Sequence, residues 1–111
     1  MDDEFCYLTT RGRKTGRPHE VEMWFAARDG RLYMLSGSGR ADWVKNLRVT
    51  PTVSIRVGDK PHAGRGRVVA EADEDAAARR LLAAKYQGWQ ESQPLSEWAQ
   101  TALPVCVELQ D

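Results

Sequence analysis

Cysteine is scarce in this 111-residue chain. Cys6 and Cys106 lie near opposite ends, which excludes a disulfide scaffold and a zinc site built on close cysteine pairs. Both thiols read as reduced core residues. Histidine is as sparse: His19 and His62 are far apart and neither stands in a metal-ligand spacing, so no metal is expected. No apolar run approaches the roughly 20 residues a helix needs to cross a bilayer, and no secretory leader pattern opens the chain, so the expectation is a cytoplasmic protein without a membrane span. An excess of either charge is missing too. Sixteen basic and sixteen acidic side chains give a formal net charge of zero, so nothing in the overall balance draws the chain to nucleic acid or an anionic membrane. Phosphate-loop signatures are also absent. Lys14-Thr15 precedes Gly16 instead of following it, and no G-x-G-x-x-G opens a βαβ unit. Gly37-Ser38-Gly39 lacks the framing of a nucleophile elbow.

The charge that is present is concentrated. The stretch LTTRGRKTGRP, residues 8–18, puts Arg11, Arg13, Lys14 and Arg17 into one turn without an acid, while Gly12 and Gly16 permit the backbone to reverse. Strand-like FCYLTT precedes it and VEMWFAA follows it, so the turn reads as a rigid, exposed hairpin tip suited to an anion. In the second strand Val21, Met23 and Phe25 point one way and Glu20, Glu22 and Trp24 the other. A tryptophan among glutamates needs a partner, either another subunit or a flat ligand.

Asp29-Gly30 signals a two-residue hairpin, with a returning strand over 31–35. A loop rich in glycine and serine leads to a short helix that Ser38 or Asp42 caps, with Val44 and Leu47 on its apolar face and Pro51 as its stop. Residues 52–57 alternate cleanly, and the fifth strand, within 62–70, carries Gly64 and Gly66 on one face, a sign of close approach or strong curvature. A helix from Asp73 presents Leu82, Tyr86 and Trp89 as one apolar stripe, the SEWAQ segment connects, and residues 103–109 form the last strand. One domain over 1–111 follows. It is mainly β (α+β), a small antiparallel barrel carrying two to three helices.

The turn 8–18, a strand containing MWF, and LYMLSGSG followed by ADWVKNLRVTP together resemble the deazaflavin-dependent nitroreductase or quinone reductase family. That resemblance implies a split β-barrel and reduced coenzyme F-420, a deazaflavin with a phosphate and an oligoglutamate tail. It implies transfer of a hydride to an electron-poor small-molecule acceptor, a quinone, an enone or a nitro compound, with the chemistry residing in the cofactor. Carried over by position, Arg13, Lys14 and Thr15 grip the phosphate tail, and Met23 and Trp24 lie beside the ring. Ser36, Gly37, Ser38 and Gly39 form the loop whose amides approach the ring, and Trp43 and Asn46 belong to the helix motif. Tyr86 and Ser38 are the catalytic candidates, Tyr86 as proton donor. The loop before Trp43 is shorter than in the better-known branch, and relatives of this fold commonly form homodimers.

Other readings stay open. Similar barrels bind FMN, whose phosphate would suit the same turn, and a non-catalytic deazaflavin binder would need the same residues. Short basic cores such as RGRK also lie in DNA minor grooves. They normally sit in disordered basic tails, whereas this one is clamped between strands in a neutral chain.

Overall fold

A computed structural model describes residues 1–110. The strands are β1 (Phe5–Arg11), β2 (Pro18–Trp24), β3 (Ala26–Arg28), β4 (Arg31–Ser36), β5 (Thr52–Val57), β6 (Lys60–Val68) and β7 (Leu103–Leu109). The helices are α1 (Asp42–Val49), α2 (Ala72–Gln87) and α3 (Glu97–Thr101). All pairings are antiparallel, in the order β2-β1-β5-β6-β7-β4-β3.

The two edge strands of that order are consecutive in the chain. β2 and β3 are halves of one bent strand joined through Phe25, so the sheet curls until its edges meet at a single residue. This is the small antiparallel barrel that the sequence pattern suggests, in the split form that the family resemblance implies. The expected strand ran unbroken through Phe25. The break arises because its first half pairs with β1 and its second with β4, and one straight strand cannot follow both. Buried Phe25 thereby leaves the ladder, and its peptide groups need other partners. α2 supplies them: the Phe25 N–H donates to the Tyr86 hydroxyl at 3.0 Å, and the Phe25 carbonyl accepts from Lys85 Nζ at 2.8 Å.

Alternation places Leu8, Ile55, Met34 and Val107 inside the barrel, with Val44 and Leu47 of α1 closing one end. The other face of the sheet buries Tyr33, Leu35 and Val69 under Ala78 and Leu82 of α2. Cys6 belongs to the inner core and Cys106 to the outer one, so the free thiols occupy opposite faces. Burial pushes their pKa values up to about 12 and about 11. The close approach expected at Gly64 is real, since a Cβ there would lie 2.6 Å from Val107 Cγ1. Asp29 and Gly30 both have positive φ, 53° and 76°, as the hairpin signal requires.

Three local expectations need correction. Neither Ser38 nor Asp42 caps α1; Ala41 holds that position with no side-chain bond, and Asp42 is the first helical residue. Trp89 is not on the α2 stripe, because Gly88 in the left-handed conformation ends the helix before it. The SEWAQ connection contains the short helix α3, capped by Ser96.

Candidate functional site

The basic turn is stiffened from within. Gly12 N–H donates to the Arg17 carbonyl and Gly16 N–H to the Gly12 carbonyl, both at 2.8 Å, with Gly16 at φ 75°. Arg17 N–H adds a bond to Thr15 Oγ1 at 3.2 Å. Arg13 departs from the exposed tip the sequence suggests. Its side chain is only 23% exposed and folds onto α1, donating to Asn46 Oδ1 at 2.8 Å and to Asp42 Oδ1 at 3.2 Å. The Arg13 amide also donates to Asn46 Oδ1, at 3.2 Å, and Asn46 Nδ2 donates to buried Thr10. Asn46 is therefore a buttress that fixes the turn against α1.

Lys14, Thr15 and Arg17 are exposed, as is Arg11 at the end of β1, and among the described residues neither Lys14 nor Arg17 has a carboxylate within ion-pair distance. They border a cavity of about 360 Å³ shared with Arg13, His19 and Asp42. Three cations face one carboxylate, so the cavity is net positive. Arg17 and His19 were missing from the sequence-derived set. Arg17's place in the basic run was the available signal for it, whereas His19 stood out only as an isolated histidine.

At the far end of β2 lies a second cavity of about 420 Å³, lined by Phe5, Met23, Trp24, Leu35 and Trp98, with Glu22 and Gln87. Trp24 finds its partners within its own chain. Its ring stacks on Tyr86 at 4.3 Å and 4° and meets Trp98 edge-on at 5.6 Å, yet Trp24 remains 37% exposed. The Tyr86 hydroxyl is committed to main chain, facing the carbonyls of Glu4 at 2.6 Å and Phe25 at 2.9 Å. Burial raises its pKa, which keeps it a neutral phenol.

Between the two cavities runs the unpaired edge of β2, about 16 Å from Pro18 to Met23 at ~3.3 Å per residue. The loop 36–40 leads from β4 into α1. Ser36 is buried, donating to the Ser38 carbonyl at 2.6 Å and accepting from Ser38 N–H at 3.3 Å. Ser38 Oγ accepts from Arg40 N–H at 2.9 Å, which leaves its own proton free to donate. A Cβ at Gly37 would meet nothing within 4 Å, so the backbone there borders open space. Trp43 is 8% exposed and packs α1 into the barrel core.

The sequence pattern of the F420H2-dependent quinone reductase family matches residues 1–110. The chain belongs to that family. It is thus an oxidoreductase that uses reduced coenzyme F-420 to reduce a small-molecule acceptor. Solved structures with the same fold include a putative 5-nitroimidazole antibiotic resistance protein from Bacteroides thetaiotaomicron, 15% identical with a TM-score of 0.76 over 98% of this chain and 74% of that one. An F420-H2 dependent reductase is 22% identical, with a TM-score of 0.72 over 96% and 94%. A protein described as a domain-swapped dimer is 24% identical, with a TM-score of 0.74 over 99% and 82%.

The reductase has a donor set that fits the cofactor. The phosphate and carboxylates of coenzyme F-420 are anions suited to a cavity with a cationic excess, and the open backbone at Gly37 leaves room for a neighbouring group. Among the described residues no helix is long and apolar enough to cross a membrane, and no group of three or more metal-binding side chains occurs.

Proposed function

We propose that the unpaired edge of β2 is the floor of the cofactor groove in a single unit spanning residues 1–111. Lys14, Thr15 and Arg17 hold the phosphate, Arg13 and Asn46 set the turn's position, and Met23, Trp24 and the loop 36–39 border the ring. The carrying observation is the placement of a net-positive cavity and an aromatic one at opposite ends of one exposed strand edge. When bound, reduced coenzyme F-420 supplies a hydride to a quinone, enone or nitro acceptor. Trp43 acts through packing, by fixing α1 beside the loop.

Ser38 is the protein's polar group for the ring or for the reduced acceptor, because its proton is uncommitted. Tyr86 holds Trp24 in place through its stacked ring. A homodimer in the cytoplasm is the assembly we favour, supported by exposed Trp24 and by the domain-swapped dimer among similar structures. The test is anaerobic mixing of the protein with reduced coenzyme F-420 and each acceptor class. Return of the oxidised cofactor's visible absorbance is expected. No turnover across the panel, together with tight FMN binding, would establish the FMN alternative instead.

A further inference from the structure

We propose that the cavity at Trp24 selects flat acceptors that are neutral or cationic and that Glu22 turns anionic ones away. The inference rests on the hydride-transfer reading above for the statement that the occupant is an acceptor. Its geometry comes from the chain alone. A volume of about 420 Å³ falls within the ~300–1,000 Å³ usual for small-molecule sites. Aromatic walls from Phe5, Trp24 and Trp98 favour a flat ring, since stacked and edge-on contacts add to apolar burial. Tyr86 holds the Trp24 indole on one face, so the wall is rigid while the residue stays open to the cavity.

Charge decides the class. Among the described residues Glu22 is the one charged side chain lining this cavity, and the Tyr7 hydroxyl donates to its carboxylate at 2.8 Å, which fixes it in place. Among the described residues no cation lies within ion-pair distance of Glu22. Lys85 Nζ is bonded to the carbonyls of Asp3 and Phe25 and lies over the Phe25 ring, and Arg56 lies over the Tyr7 ring with its ion pair to Glu20. An anionic substituent on the acceptor thus meets an unneutralised carboxylate, the reverse of the basic cavity at the other end of β2. The two cavities divide the work: one takes the cofactor's anionic tail, and the other admits an acceptor without negative charge.

The experiment uses the 111-residue chain and three matched naphthoquinones, neutral, sulfonated and bearing a quaternary ammonium. Binding is read by quenching of tryptophan fluorescence without added cofactor, and KM is then read with reduced coenzyme F-420. The neutral and cationic probes should bind at least about tenfold more tightly than the sulfonate, the scale of one charge a few Å away in a half-solvated site. Glu22→Gln should bring neutral and sulfonated probes within about twofold, with circular dichroism confirming the fold. Trp24→Phe should remove most of the quenching. A sulfonate that binds wild type as tightly as the neutral probe, a ratio unchanged in Glu22→Gln, or no quenching by any probe each overturns the proposal. The quenching needs no cofactor, so selective binding without F-420 oxidation would contradict the functional reading alone. F-420 oxidation without charge selection would contradict this inference alone.

Discussion

Arg13, Lys14 and Thr15 are adjacent in sequence, and the structure gives them different work. The sequence shows that cations gather at the turn; it does not show which of them fold back. Arg13 does so because Asn46, four residues beyond Asp42 on the next turn of α1, offers an acceptor that is otherwise buried. Asn46→Ala should therefore lower stability by about 1–3 kcal/mol by leaving buried partners unpaired, and should weaken cofactor binding as well. A melting curve and a cofactor titration check both effects. Tyr86 is a second case. The family resemblance makes it a candidate proton donor, but its hydroxyl accepts the orphan N–H of Phe25. Tyr86→Phe should cost about 1–3 kcal/mol in denaturant unfolding while turnover stays within a few-fold. A hundredfold loss of turnover in a fully folded variant would return the proton-donor role to Tyr86.

Among elements, the strands were legible because alternation survives burial: Val53, Ile55 and Val57 point inward as their spacing requires. The break at Phe25 was not legible, since VEMWFAA alternates through it and barrel closure is a tertiary event. The docking of α2 was equally hidden, because acids in its first turn read as complements to the helix dipole. One of them, Glu74, accepts two bonds from Arg67 of β6, at 2.6 and 2.8 Å, and one from the Tyr33 hydroxyl at 2.7 Å. The Arg67 bonds are the main cause of a Glu74 pKa lowered from 4.5 to about 2. A depressed carboxylate pKa contributes stability that is fully present above the unfolded value and lost as pH falls through the folded one. Wild type should therefore exceed Glu74→Gln in Tm above about pH 5, and the gap should close as pH approaches 2. Glu108, also lowered by Arg67, should titrate in the same direction. A gap that stays constant with pH would mean that Glu74 contributes little through its charge.

For the whole molecule, a net charge of zero hides a strongly polarised strand edge, basic at Lys14 and Arg17 and acidic at Glu22. The basic end was readable as a run of residues. The pairing of the two ends was not, because it depends on the sheet curling so that β2 pairs with β1 on one side and keeps its other edge open. Cofactor affinity should weaken as salt rises, since partly exposed charges are screened over about 10 Å at 0.1 M. The measurement that tests the account most directly is a titration of wild type and of the Lys14→Glu, Arg17→Glu double variant with coenzyme F-420 and with FMN, at low and high salt. Two charge-assisted contacts worth roughly 1.5–3 kcal/mol each correspond to at least about two orders of magnitude in affinity. The account predicts that wild type binds F-420 more tightly than FMN, and that the folded variant loses that affinity along with most of its salt dependence. A double variant that binds F-420 as tightly as wild type, with the same response to salt, would contradict it.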